Sequence, residues 1–252
     1  MNILISNDDG YQALGIRTLA KRLAKEHNVT VVAPMGERSG TSHSVNFFSG
    51  ITYQDMGEID GVRTYAVSGT PADCVLFGLK YICQEQKIDA VVSGINTCLN
   101  SGTDVIFSGT FGAAQEGTFQ GIPSLAVSLK TRGVEDYEYA ADFTARNLDT
   151  LLFYANENTT VNLNFPCVKK QDTKGVKIAL IAFQPYNETY VKKTENGVDY
   201  FFVEGHPQKH EDEKSGGDCY WLANGYITVT PVKLIANDFD SLNAMKKAGF
   251  EL

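Results

Sequence analysis

The chain has 252 residues, 43% of them hydrophobic and 21% charged, with a net charge of −8 from 22 basic and 30 acidic side chains. That is enough for one large α/β domain with its own core, and it is too apolar for a disordered chain. No apolar run reaches the roughly 18 residues of a membrane span, and no basic cluster offsets the acidic balance, which argues against a membrane or nucleic acid as the main partner.

In chain order, residues 2–6 (NILIS) read as a short buried strand ending in Asn7-Asp8-Asp9-Gly10. A helical pattern follows, with Leu14, Leu19 and Leu23 apolar and Arg17, Lys21, Arg22 and Lys25 polar. Val29–Ala33 reads as a second strand closed by Pro34, which completes a βαβ unit. The pattern repeats: a helix over 73–86, a strand over 90–93, a helix over 110–119 and a strand over 124–128. Residues 1–130 therefore predict a doubly wound α/β core.

Beyond residue 130 the pattern changes. A long helix is expected over 136–155 and strands over 161–165 and 176–183. A hairpin over 189–203 should turn at Glu195-Asn196-Gly197. A polar loop over 205–218, a strand over 225–230 and a final helix over 237–248 complete a C-terminal α+β extension, 131–252. The five cysteines, Cys74, Cys83, Cys98, Cys167 and Cys219, are odd in number and contain no C-x-x-C pair. Neither a disulfide framework nor a zinc knuckle is expected. The first residues read as a strand rather than a signal peptide, so a cytoplasmic location is expected.

In open parallel sheets, ligands sit beyond the carboxyl ends of the strands, and three loops there carry unusual residues. The first is Asp8-Asp9. Two carboxylates about 4 Å apart repel by about 4 kcal/mol at an effective dielectric of 20. The first basic residue of the chain is Arg17, so a divalent cation is the simpler way to keep both ionised. A solvated Asp-Asp-Gly turn is the plain alternative. The second loop, Glu37 to Ser44, is rich in hydroxyls and glycine and is able to ligate a hard cation, hold phosphate, or serve as an ordinary polar loop. His43 alone reads more readily as a hydrogen-bonded structural residue than as a catalyst.

The third loop, Ser93 to Asp104, is dense in Asn, Gly and Asp, and an Asn carbonyl suits Mg²⁺ or Mn²⁺. It leads into Ser108-Gly109-Thr110, which opens a helix whose free N–H groups, over 109–112, would face an anion. No P-loop lysine and no G-x-G-x-x-G is present. The absence of a soft-ligand cluster disfavours zinc. Together the loops imply a hard divalent cation beside a phosphate site.

These segments resemble the SurE family of 5′-nucleotidases. The resemblance rests on LISNDDG (4–10), RSG with His43-Ser44, GTPADCV (69–75), SGIN (93–96), SGT (108–110) through Ala113-Ala114 to Glu116-Gly117, NLNFP (162–166), and Gly225-Tyr226 with Thr230-Pro231. It is dense over 1–130 and thinner beyond. It implies a Rossmann-like fold and one divalent cation per subunit, Mg²⁺ or Mn²⁺, ligated by Asp8, Asp9, Ser39 and Asn96. Asp8 and Asp9 would be the catalytic pair. Asn7, Gly40, His43, Ser108, Gly109 and Thr110 would line the phosphate and substrate. The implied reaction is hydrolysis of nucleoside 5′-monophosphates to nucleoside and phosphate, with 3′-nucleotides and short polyphosphate left open. The implied assembly is a homodimer or homotetramer built through the C-terminal extension.

Three positions depart from the family pattern: Cys98 stands where glycine is usual, Phe107 where tyrosine is usual, and Phe111 where a smaller apolar residue is usual. Other classes make different demands on these residues. A haloacid-dehalogenase-type phosphatase needs two aspartates at i and i+2, whereas here they are adjacent. A non-catalytic nucleotide- or metal-binding module would give no turnover. A metal-dependent nucleoside hydrolase would release free base instead of phosphate.

Overall fold

The computed structural model describes residues 1–208 and 216–248. A single nine-stranded sheet forms the centre. Its parallel part is built from β1 (Asn2–Ser6), β2 (Asn28–Pro34), β4 (Val62–Val67), β5 (Ala90–Asn96), β6 (Ser124–Leu129) and β7 (Thr159–Phe165). With β3 (Tyr53–Ile59), β8 (Val176–Ile178) and β11 (Ile227–Lys233), the order across the sheet is β3-β4-β2-β1-β5-β6-β7-β11-β8. β3 pairs antiparallel with β4, and β11 antiparallel with β7. The sheet therefore runs on past residue 130 into the C-terminal half of the chain.

Strands β5 and β6 are buried along their whole length, as a sheet covered on both faces requires. Helices α1 (Leu14–Leu23) and α4 (Val134–Phe153) pack together on one face, and α2 (Pro71–Phe77) and α3 (Gly109–Phe119) on the other. Ile16, Leu19, Ala20 and Leu23 form the buried stripe of α1, at the spacing an amphipathic helix needs. Thr70 and Asp73 close a reciprocal capping box at the start of α2, with Pro71 in its first turn.

From β1 the chain winds outward through β2 to β4, then returns to the other side of β1 and continues through β5, β6 and β7. The winding direction thus reverses between β1 and β5, the position where open sheets form a ligand crevice.

The hairpin is present as β9 (Tyr186–Glu195) and β10 (Val198–Pro207), turning at Asn196 and Gly197, both at positive φ. It is longer than 189–203, and the two strands form a separate sheet with Tyr190, Tyr200, Phe201 and Phe202 exposed. α6 (Phe239–Ala248) matches the expected terminal helix, with Leu242 and Met245 exposed. Residues 209–215 of the expected polar loop lie outside the described residues.

Two expectations are corrected, and two elements are added. The helix over 73–86 begins at Pro71 and ends at Phe77, then widens into a π-helical turn over Gly78–Ile82. The strand over 176–183 stops at Ile178: beyond it the Leu180 N–H turns to the Gly216 carbonyl at 3.1 Å and the Ala182 N–H to the Asp218 carboxylate at 3.0 Å. That carboxylate opens α5 (Asp218–Ala223), a short helix the sequence reading lacked. The β3–β4 hairpin was likewise not foreseen, since Tyr53–Ile59 is mostly exposed and polar and is bulged between Asp55 and Glu58.

Candidate active site

The crevice at the reversal is walled by the turn after β1, the loop after β2, the segment after β5 and the first turn of α3. Gly10 sits at φ +96°, and Asn7 Nδ2 donates to the Gly10 carbonyl at 3.0 Å. This tightens the Asn-Asp-Asp-Gly turn. The loop after β2 is stitched to it, with the Arg38 N–H on the Asp8 carbonyl at 2.7 Å and the Tyr11 N–H on the Pro34 carbonyl at 2.9 Å.

Asp8 is 3% exposed and takes hydrogen bonds at its carboxylate from the Thr110 hydroxyl and the Thr110 backbone N–H. Burial pushes its carboxyl above the usual carboxylate range, while these bonds from the first turn of α3 oppose the shift. Asp9 is pushed up to about 6, chiefly by burial and then by the charge of Asp8; the Thr97 backbone N–H opposes this. Glu37 adds a third negative charge felt by both. No cationic side chain lowers either carboxyl, and the Arg38 guanidinium is held at the Ser68 carbonyl at 3.0 Å. The arrangement therefore concentrates negative charge without a protein cation to balance it.

Asp9 Oδ2 and Asn7 Oδ1 are buried and without a hydrogen-bond partner. A buried carboxylate oxygen left unpaired costs about 1–3 kcal/mol or more, which a cation would offset. Asn96 is 6% exposed, and its Nδ2 donates to the Cys98 carbonyl at 2.9 Å, which leaves Oδ1 as its unused polar atom. Among the described residues, no three His, Cys, Asp or Glu side chains converge as a metal cage. The available donors are instead two carboxylates with amide and hydroxyl oxygens, the hard set that Mg²⁺ and Mn²⁺ prefer.

Ser39 and Gly40 stand on the exposed rim, Gly40 at φ +75°, and the Ser39 hydroxyl donates to Glu37 Oε1 at 3.1 Å. Ser108 caps α3: its Oγ accepts the Phe111 N–H at 2.9 Å and its carbonyl accepts the Gly112 N–H at 3.0 Å. The expected cradle over 109–112 is thereby reduced. Phe111 and Gly112 are used within the cap and Thr110 faces Asp8, so the Gly109 N–H is the donor left at this helix end among the described residues. A Cβ on Gly109 would meet Asp8 Cβ at 2.9 Å and Asp8 Oδ2 at 3.1 Å, so glycine is what lets α3 approach the carboxylate.

His43 Nε2 lies 2.7 Å from Glu116 Oε2, and Gln120 Nε2 donates to Glu116 Oε1 at 2.8 Å. Glu37, Thr97 and Glu116 were not singled out from the sequence as site residues. Glu116 lies within α3 and only the folded chain shows its carboxylate meeting His43. Cys98 is exposed, and among described non-glycine residues positive φ occurs only at Ser42, Asp60 and Asn196. The cysteine at the usual glycine position therefore carries no backbone strain. Phe111 is 1% exposed and packs with Val105, Ala114 and Ala126, so it belongs to the core and not to the crevice lining. Phe107 remains 63% exposed.

These features define a doubly wound α/β protein with paired carboxylates, neutral oxygen donors and a helix N-terminus gathered at its switch point. The profile of the family described as "Survival protein SurE" matches residues 3–188. A protein of Clostridium botulinum (strain Alaska E43 / Type E3) named 5′-nucleotidase SurE is 39% identical over 253 residues, covering 98% of this chain and 99% of that protein. One of the same name from Clostridium beijerinckii (strain ATCC 51743 / NCIMB 8052) is 40% identical over 255 residues, covering 98% of each. The crystal structure of the SurE protein from Aquifex aeolicus is similar with a TM-score of 0.82 and 32% identity, over 98% of this chain and 99% of that one. The chain belongs to the SurE family.

Proposed function

We propose that the protein is a divalent-cation-dependent 5′-nucleotidase, hydrolysing nucleoside 5′-monophosphates to nucleoside and inorganic phosphate. The observation that carries this reading is the adjacent pair at the switch point, with Asp8 buried against the first turn of α3 and Asp9 half-buried but its Oδ2 sealed from solvent and unpaired. The names of full-length relatives support the substrate class.

Asp8, Asp9, Asn96 and Ser39 would hold one cation per subunit, Mg²⁺ or Mn²⁺. When bound, it supplies a Lewis acid that polarises the phosphoryl group and acidifies the attacking water. Asp9 Oδ2, buried and unpaired, would be free to bind the cation or to accept a hydrogen bond from the attacking water. The Thr110 hydroxyl fixes the Asp8 carboxylate and opposes the upward shift that burial imposes on it. The Gly109 N–H and the α3 dipole favour the negative charge that builds on the phosphoryl oxygens. Asn7, Gly40 and Ser108 complete the substrate surround. His43 is the candidate proton donor to the leaving alkoxide: Glu116 orients its ring through Nε2 at 2.7 Å, which leaves Nδ1 as its uncommitted nitrogen among the described residues.

We also infer a homodimer or homotetramer, supported by the exposed aromatic residues of β9–β10 and the exposed apolar side chains of α6. A cytoplasmic location fits five free cysteines, and among the described residues no helix is long and apolar enough to cross a membrane. The test of the activity is phosphate release from 5′- and 3′-mononucleotides and a short polyphosphate, with free base measured in parallel. The proposal expects phosphate with little free base, and 5′-monophosphates as good substrates in Mn²⁺ or Mg²⁺. Free base as the main product would identify a nucleoside hydrolase, and no turnover of any phosphoester would leave a binding module.

A further inference from the structure

The segment joining β5 to α3 is irregular yet partly buried, with Asn100 and Ser101 each 6% exposed. Such a segment carries backbone N–H and C=O groups that must find partners away from water. Strand alternation turns Val161, Leu163 and Phe165 toward the core beneath α1 and α4, which leaves Asn162 and Asn164 of β7 on the opposite face. There they meet the segment. Asn164 Oδ1 accepts the Asn100 N–H at 2.9 Å, while Asn162 Nδ2 and Asn164 Nδ2 donate to the Asn100 carbonyl at 2.8 and 3.1 Å. Asn100 Nδ2 donates in turn to Ser128 Oγ on β6 at 2.8 Å. Both backbone groups of Asn100 and its own amide are thus held by two neighbouring strands.

Asn96 draws its orientation from the same segment. Its Nδ2 is committed to the Cys98 carbonyl, two residues before Asn100. An amide has one oxygen and one nitrogen on opposite arms, so fixing the nitrogen aims the oxygen. The register of β5 against β6 also shifts between Ser93 and Asn96, so the strand ladder alone does not place this side chain.

We propose that Asn162 and Asn164 are positioning residues: by clamping Asn100 they hold the Cys98 carbonyl, and through it they aim Asn96 Oδ1 at the cation. This rests on the reading of Asn96 as a ligand given above. Partners behind metal ligands are typically worth 10–100-fold in affinity.

The test is a double-mutant cycle on Mn²⁺ affinity, measured by calorimetric titration of the chelator-treated full chain. Its members are wild type, Asn96→Ala, Asn164→Ala and the double variant, with thermal midpoints recorded for each. The clamp predicts that Asn164→Ala weakens Mn²⁺ binding by about 10-fold or more, and that the double variant binds no more weakly than Asn96→Ala alone. Independent, multiplying losses overturn it. So does an Asn164→Ala protein with a lowered midpoint and wild-type Mn²⁺ affinity, which is what a purely structural role gives. Should Asn164→Ala fail to fold, Ser128→Ala removes only the acceptor of the Asn100 amide, and the same non-additivity with Asn96→Ala is required. Unchanged affinity in Asn96→Ala itself is a separate outcome: it removes Asn96 from the ligand set and the clamp's role with it.

Discussion

Replacing Asp9 by asparagine should stabilise the metal-free protein while destroying its activity. In the fold, the Asp9 carboxyl is raised from 3.8 to about 6. A shift of about two units corresponds to roughly 3 kcal/mol at 1.36 kcal/mol per unit. Asp9 is only half-buried, so solvent screening reduces the recoverable part to about 1–2 kcal/mol. The sign follows from linkage. Above pH about 6 both folded and unfolded chains carry the ionised group, but only the folded chain holds it at a cost, and the destabilisation is complete. As pH falls from about 6 toward 3.8, the folded chain takes up the proton first and the penalty shrinks; below 3.8 it is gone. The neutral amide introduced by Asp9→Asn would avoid the penalty throughout. Urea unfolding in chelator, from pH 4 to pH 8, should therefore show the variant more stable by about 1–2 kcal/mol at pH 8 and equal to wild type near pH 4. Adding Mn²⁺ at pH 8 should reverse the order, since wild type gains about 2.7 kcal/mol at 100 times the dissociation constant while the variant gains little. A variant less stable than wild type at pH 8, or an advantage unchanged with pH, would refute the electrostatic reasoning.

Gly109→Val should weaken both Mn²⁺ and inorganic phosphate binding, because a Cβ there meets Asp8 before it meets any ligand; competitive inhibition by phosphate and metal titration read the two losses. Thr110→Val removes the hydroxyl that Asp8 accepts, and a lost hydrogen bond to a charged group costs about 1.5–3 kcal/mol, which chemical unfolding in chelator should show at neutral pH. Gly15→Ala places a Cβ 1.9 Å from the Ile95 carbonyl, so α1 must shift beside Asn96, and both thermal midpoint and turnover should drop. A chain truncated at Asn237 should lose assembly. Sedimentation of the full chain as a concentration-independent species near 27.6 kDa would refute the proposed oligomer.

The parallel core was legible because its strands are continuous apolar runs and α1 has clean periodicity, as in Asn2–Pro34. The second hairpin was legible from Asn196-Gly197, a dipeptide that tolerates two positive φ angles. The first carried the same kind of signal in Asp60-Gly61, but its strand Tyr53–Ile59 lacks alternation and is bulged, as a protected edge often is. Ala179–Phe183 misled for the opposite reason: it is apolar, yet its Leu180 and Ala182 N–H groups are taken by Gly216 and Asp218, distant in sequence. The paired aspartates were readable as a local oddity of charge. The use of α3 was not, because only the folded chain shows that Asp8 occupies the first turn an incoming phosphate was expected to fill. The roles of Asn162 and Asn164 were hidden likewise, since a polar residue in a strand reads as solvent-facing until a buried loop is found against it.

The central claim is tested most directly by following phosphate release from a nucleoside 5′-monophosphate during chelation and back-titration with Mn²⁺, using wild type and Asp9→Asn side by side. Wild-type activity should vanish in chelator and return with stoichiometric Mn²⁺, and the variant should remain at least about 100-fold slower, a loss of about 2.7 kcal/mol of transition-state stabilisation. Wild-type turnover that survives exhaustive chelation, or a variant that matches wild type, would contradict the account.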